Sequence, residues 1–521
     1  MNLYQETFLK SVELFPSNTA LSTDKRSFTY QQLDVLIQKW SRVIQACNER
    51  NFPVAIYGGK QWQMYAGILS VLAVKQTYVP LNNKQPTHRN QAILEQIDCQ
   101  LILIAEGENP SELLAKLSSS LTVIYLGEDN PIWLKKLVKH RSLVINEIDG
   151  LIKQSTLTDS ITQSKYAYIL FTSGSTGTPK GIAVSQQNVI NYIARINDLL
   201  GIESTDKVGQ FFELSFDLSV HDLFSCWSKG AALYVIPAEQ LFCPTSFIRK
   251  HQLTVFSAVA SILSFIDKFG LLTPNALPSL RICCFGGEKL LTNQVKKWQM
   301  CASNSRVFNL YGPTEFTISS TFYEINIADL PRSSSVPIGK ALPGLTAILI
   351  KDGKQVNQPN ILAELFLAGD QIVEGYWKDD KKTAECFTVL EGVDFLQSYF
   401  YRTGDIVYYD ENGCLVFHGR NDHQFKVAGH RVEAADIEAC ILSYSPSITW
   451  CTVKAIIDDF NQQTQIVAHI ESSIAINKQV LRKFCLSQLP QYMVPDAFNC
   501  YEYLPRNANG KVDLKMLSKA N

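Results

Sequence analysis

The chain has no two cysteines in a C-x-x-C pair, although it holds 13 cysteines in 521 residues. Structural zinc and dithiol redox sites both need closely spaced thiols, so neither is indicated. The cysteines are scattered, odd in number and include the neighbours Cys283 and Cys284, which points to reduced, buried thiols and a cytoplasmic setting. An excess of charge of either sign is also lacking: 48 Lys and Arg against 49 Asp and Glu leave a formal charge of −1. So balanced a field favours neither nucleic acid nor an anionic membrane as partner. Long apolar runs are missing, and stretches such as "YAGILSVLAV" fall well short of a membrane span. The opening "MNLYQETFLKSVELF" has neither the basic start nor the apolar core of a signal peptide.

What the chain does have is length. With 46% hydrophobic and 19% charged residues it is globular in composition and too long for one core, so two or more domains are expected. "PVAIYGG", "QLILIAE", "LTVIYLG", "AALYVIPA" and "LRICCFGG" read as buried strands. "SQQNVINYIARINDLLG" reads as a helix, capped by Ser185, striped by Val189, Ile190, Ile193 and Ile196, and ended by Gly201. The alternation predicts an α/β protein with buried sheets. Near "FHGRNDHQFKVAGHRVEAADIEACI" (417–441) the character changes, a polar segment running into a helix near Glu433. A boundary at Asn421 to His423 leaves about a hundred residues for a small second domain.

The stretch "YAYILFTSGSTGTPKGIAVS" (166–185) gathers hydroxyls, glycines and Lys180 as a phosphate-binding loop would. It is not a Walker A loop, because Lys180 lies between Pro179 and Gly181, and it lacks the G-x-G-x-x-G of a dinucleotide site. "GIAVS" after it reads as a strand, so the loop would hold phosphate by amides, hydroxyls and a lysine rather than by a helix N-terminus. A plain surface turn has the same composition.

Together with "FTYQQLD", "LAVKQTYVPLN", "FDLSVHDLF", "NLYGPTE", "AELFLAGDQIVEGYW", "YRTGD", "GRNDHQFKVAGHRVEAADIE", "LPQYMVP" and "NGKVD", this loop resembles the adenylate-forming superfamily, and most of all a free-standing amino-acid adenylation domain. The motifs stand in family order along nearly the whole chain. The resemblance implies an N-terminal core, residues 1–421, of sheets layered with helices, and a small mobile C-terminal α/β lid, residues 422–521. It implies ATP and Mg²⁺ as cofactors, an amino-acid substrate, and a phosphopantetheinylated carrier protein acting in trans, with neither nucleic acid nor membrane involved.

The implied roles fall on named residues. Thr172, Ser173, Gly174, Ser175, Thr176 and Lys180 would hold the outer phosphates, with Gly286, Gly287 and Gly312 close to the nucleotide. Thr314 would contact the α-phosphate and Glu315 would ligate magnesium, one carboxylate plus phosphate oxygens suiting that ion. Tyr311 would stack on adenine, Asn309 reach its amine, and Asp405 accept the ribose hydroxyls beside Arg420. Tyr311 and Asn309 could equally be core packing, and Asp405 a turn residue. Lys511 resembles the catalytic lysine, and Asp422 the hinge about which the lid turns. Three departures stand out: Ala428 where the family carries a cation, "LPRNANGK" near Lys511, and Ala363 in place of a glycine.

Asp217 matches the aspartate that pairs with the substrate's ammonium, although an N-cap for the helix "LSVHDLFSCW" is the competing role. Family pocket positions fall on Leu218, His221, Ser257, Cys283, Phe285, Leu310, Ile318 and Ser319. On that threading Phe285 shortens an apolar pocket and His221 serves as a hydrogen-bonded wall. A compact apolar amino acid is implied. The pattern resembles proline-activating carrier-protein ligases of pyrrole and anatoxin-type pathways, with D-alanine or another small amino acid as the alternative and an acyl- or aryl-CoA ligase as the further one.

Overall fold

The computed structural model describes residues 2–48, 50–148, 164–172, 178–330, 335–390, 399–422, 424–457 and 464–505. The five expected strands form as Val54–Gly58, Leu101–Ile104, Thr122–Tyr125, Ala232–Val235 and Ile282–Gly286. Most are continuous apolar runs, as strands covered on both faces require. The helix Gln186–Leu200 starts at Ser185, whose side chain accepts from the Asn188 N–H, and ends at Gly201 with φ 69°. Such a cap contributes about 1 kcal/mol.

Among the described residues a nine-stranded sheet carries six parallel strands at its centre, in the order Arg306–Tyr311, Ile282–Gly286, Val255–Val259, Lys207–Gln210, Ala232–Val235 and Thr19–Ser22. A seven-stranded sheet runs from Arg141–Val144 to Lys180–Ser185, parallel except for its last pair. The helices Tyr30–Cys47, Trp62–Ala73, Gln186–Leu200 and Leu218–Trp227 contribute to the one apolar cluster shared by both sheets. Further helices cover each outer face, one set around Trp298 and one around Leu94 and Leu114. An antiparallel sheet within 346–420 follows and pairs Asp405 with Arg420.

Beyond it the strands Gln424–Val427 and His430–Glu433 form a hairpin. The helices Ala434–Tyr444 and Lys478–Gln488 pack on a three-stranded sheet about Ile437, Ile441, Ile470 and Leu481, a core separate from those of the body. The architecture is the expected large α/β body with a smaller C-terminal α/β unit. No helix of the described residues is long and apolar enough to cross a membrane.

Candidate active site

The parallel strands of the nine-stranded sheet all end at one edge, and the segments that leave them build the cleft, where open α/β sheets bind ligands. Lys207–Gln210 leads towards Asp217, Ile282–Gly286 to Gly287 and Glu288, and Arg306–Tyr311 to Gly312, Thr314 and Glu315. Asp217 occupies the N-cap position of Leu218–Trp227 but caps nothing with its side chain. Its Oδ2 instead accepts from Thr314 Oγ1 at 2.7 Å. The residue is 5% exposed and lines a cavity with Leu218, Leu310, Ile318 and Ser319. Burial pushes its carboxyl up to about 6, against the opposing pull of Thr314 and Lys426.

The wall of that cavity is strained. A side chain on Gly312 would meet the Ile318 carbonyl oxygen at 2.5 Å, so only glycine fits. Thr317 and Ile318 take φ of 56° and 72°, rare for β-branched residues. Gln371, fully buried, holds them: its side-chain amide donates to the carbonyls of Thr317 and Ser319 at 3.3 and 3.0 Å, and its main-chain carbonyl accepts from Thr317 Oγ1 at 2.6 Å.

Two expected pocket residues face away from it. Cys283 and Phe285 are fully buried in the outer core, Phe285 edge-on to Trp298 with centroids 5.5 Å apart. Successive strand residues alternate faces. Cys284, which packs in the cluster of Leu310 and Ile318, therefore stands on the cleft side, as does Gly286, in register with Leu310. Phe285 does not shorten the pocket; that reading was one residue out of register. His221 and Ser257 are buried behind the cavity wall. His221 Nδ1 meets the Tyr192 hydroxyl at 2.8 Å, and burial lowers its pKa to about 4, so it is neutral and stands behind the wall rather than in it.

A second cavity, about 340 Å³, includes Gly287, Asn309, Tyr311, Asp405, Arg420 and Lys426 in its lining. The Asn309 amide donates to the Pro337 carbonyl at 2.8 Å. Asp405 accepts the Tyr311 hydroxyl on one oxygen and Arg420 on the other at 2.5 Å. Arg420 also grips Asp422 through two bonds of 2.7 Å, and this pairing, against the cost of burial, holds the Asp422 carboxyl below its usual range.

Glu315 is 1% exposed; its Oε1 accepts from Tyr376 at 2.6 Å and Arg431 at 2.8 Å, while Oε2 is buried without a partner among the described residues. Burial would raise its pKa, but Arg431 and Tyr376 outweigh that and lower it. Arg431 belongs to the C-terminal hairpin, which sits in the cleft. Glu433 of the same hairpin takes Lys180 at 3.1 Å, and Gly429 N–H donates to Glu288 at 2.9 Å. Lys426 Nζ stands 6.0 Å from the Tyr311 ring centroid, and burial lowers its pKa.

Thr172 and Lys180, the ends of the hydroxyl-rich loop, face each other in register across the last strand pair of the seven-stranded sheet. Ser173, Gly174, Ser175, Thr176 and Lys511 lie outside the described residues. Lys426, Arg431, Glu433, Tyr376, Gln371 and Tyr192 were not singled out from sequence. The first three lie within the quoted "GRNDHQFKVAGHRVEAADIE" and Gln371 and Tyr376 within "AELFLAGDQIVEGYW", whereas Tyr192 carries no signal short of the fold.

Two adjoining cavities at the strand ends, one holding a buried carboxylate and both walled in part by the C-terminal unit, give the chain the cleft of a small-molecule enzyme. The chain belongs to the AMP-binding enzyme family, whose model matches residues 8–377. It is 31% identical over 478 residues to an L-proline–(L-prolyl-carrier protein) ligase of Streptomyces coelicolor, covering 89% of this chain and 86% of that one. It is 29% identical to tyrocidine synthase 1 of Brevibacillus parabrevis, of whose length it spans 44%. Among solved structures it resembles the Vibrio cholerae adenylation domain AlmE in complex with glycyl-adenosine-5′-phosphate, at 31% identity and a TM-score of 0.87, covering 100% of this chain and 98% of that one.

Proposed function

We propose that this chain activates a small amino acid, L-proline foremost, as its aminoacyl adenylate and transfers the acyl group to a phosphopantetheine thiol on a carrier protein. The observation that carries the reading is Asp217: a 5%-exposed carboxylate among apolar walls, with no ion-pair partner among the described residues. A substrate ammonium supplies the missing charge, and a fatty or aryl acid does not. L-proline stands first because the Streptomyces relative acts on it. With Gly286 rather than Phe285 on the cleft side, glycine and alanine gain room and belong in the same test.

In the first step a carboxylate oxygen attacks the α-phosphorus of ATP, the bond to the bridging oxygen breaks, and pyrophosphate leaves. Ser173, Ser175, Thr176 and Lys180 would hold the departing phosphates, Thr314 the α-phosphate, and Lys511 the oxygens between which charge passes. Tyr311, Asn309 and Asp405 would hold the nucleoside. Mg²⁺ fits the unpartnered Oε2 of Glu315; when bound it neutralises phosphate charge. In the second step the thiol loses its proton, sulfur bonds to the acyl carbon, the C–O bond breaks and AMP leaves.

The body would be residues 1–421 and the lid 422–521, hinged at Asp422. The docked hairpin suits the second step; the first needs the lid turned so that Lys511 replaces it. Thirteen unpaired thiols favour a cytoplasmic setting. The test is amino-acid-dependent exchange of labelled pyrophosphate into ATP. Exchange strongest with L-proline is expected; background exchange with every amino acid but good exchange with fatty or aryl acids would overturn the reading.

A further inference from the structure

On the helix Gln186–Leu200, Asn188, Tyr192 and Arg195 recur at spacings of four and three residues and so share one face. Tyr192 meets His221 behind the cavity wall. The other two grip the segment 370–372. The Asn188 amide donates to the carbonyls of Asp370 at 2.8 Å and Ile372 at 3.2 Å. Arg195 takes what lies between them. Its Nη1 and Nη2 each reach a carboxylate oxygen of Asp370 at 2.8 Å, and its Nε donates to the Pro343 carbonyl at 2.7 Å. Nη1 also donates to the side-chain carbonyl oxygen of Gln371 at 3.4 Å.

The two ends of the buried Gln371 amide face unlike surroundings. Nε2 meets the main-chain carbonyls of Phe316, Thr317 and Ser319, while Oε1 meets Arg195. Turned over, the amide would set its oxygen against three carbonyl oxygens and its NH₂ against a guanidinium, so one orientation is favoured. The carbonyls it clamps belong to the turn that holds Thr317 and Ile318 at positive φ. Ile318 and Ser319 of that turn line the cavity beside Asp217. A backbone in so sparsely populated a conformation keeps it only while its surroundings enforce it.

Arg195 adds little stability as an ion pair, because Asp370 is 47% exposed. What it supplies is direction: a planar fork that engages three groups at once, which a lysine ammonium does not reproduce. We infer that Arg195 is a positioning residue for the amino acid, holding the Thr317–Ser319 wall in place by orienting the Gln371 amide. This rests on the amino-acid reading above and adds a residue that lines neither cavity.

The test is a double-mutant cycle of Arg195→Met and Gln371→Ala in pyrophosphate exchange, with the amino-acid KM, the ATP KM and kcat measured for each variant. Arg195→Met is expected to raise the amino-acid KM at least fivefold, to lower kcat less than that, and to leave the ATP KM within twofold of wild type. In the Gln371→Ala background the same substitution should move the amino-acid KM less than twofold, because the group it acts through is gone. Arg195→Lys should fall between Arg195→Met and wild type. A merely structural arginine would act alike in both backgrounds and on both substrates. An amino-acid KM unmoved by Arg195→Met, the same rise in both backgrounds, or an equal rise in the ATP KM overturns the proposal. Should Arg195→Met fail to fold, Asp370→Asn at the half-exposed end carries the same cycle: a rise of at least twofold that vanishes with Gln371→Ala supports the proposal, and no rise overturns it. Amino-acid-dependent exchange in the wild type with a failed cycle confines the failure to Arg195; absent exchange sinks the parent reading and this one with it.

Discussion

If Asp217 pairs with the substrate ammonium as proposed, it sets the pH behaviour of substrate binding. Its carboxyl, pushed up by burial to about 6 from the ordinary 3.8, costs stability when ionised above that range, and the ammonium site is lost below it. We expect kcat/KM for the amino acid to fall about tenfold per pH unit below pH 6; a flat profile from pH 5 to 8 would contradict the assignment. Asp217→Asn should lower exchange by two orders of magnitude or more, corresponding to about 3 kcal/mol for a buried pair left without one partner. The same variant should melt no earlier than wild type, because a desolvated charge has been removed. Gln371 acts at the same scale: Gln371→Ala frees the strained Thr317–Ile318 turn, costs about 1–3 kcal/mol in stability, and should raise the amino-acid KM more than it lowers kcat. Equal effects on both constants would argue against a positioning role.

Among the elements, the hairpin Gln424–Glu433 is the part on which the second step would turn in the proposed mechanism. Gly429, at φ 82°, would bring a Cβ to 2.5 Å from Val259. Gly429→Ala should therefore reduce thioester formation at least tenfold more than it reduces pyrophosphate exchange, and equal losses would place the hairpin outside that step. Preceding it, Ala428 holds φ 47° with an exposed side chain, so the cation usual in the family has no buried counterpart to lose here. The strands and the helix Gln186–Leu200 were legible in sequence because apolar runs and a Ser-to-Gly frame state local structure directly. The face that each residue of Ile282–Gly286 presents was not. All five are buried, so hydrophobicity does not distinguish sides, and only the register with Val255–Val259 and Arg306–Tyr311 separates Cys284 from Cys283.

For the whole molecule, two ion pairs tie the C-terminal hairpin to the body, Arg431 to Glu315 and Lys180 to Glu433, each spending on the interface a residue that the first step would direct at phosphate or metal. On the proposed mechanism, occupancy of the cleft by hairpin and by triphosphate would thus be exclusive. Lys511→Ala should accordingly abolish adenylate formation while ATP still binds; near-normal turnover would reject a mechanism in which the C-terminal unit presents two different faces to one cleft. The measurement that reaches the central claim most directly follows the substrate's own oxygen. With amino acid labelled by ¹⁸O in both carboxylate oxygens, one complete cycle of activation and thiol transfer should leave one ¹⁸O in AMP and none in pyrophosphate, because the attacking oxygen departs with the α-phosphorus. Label in phosphate or pyrophosphate, or unlabelled AMP, would contradict it.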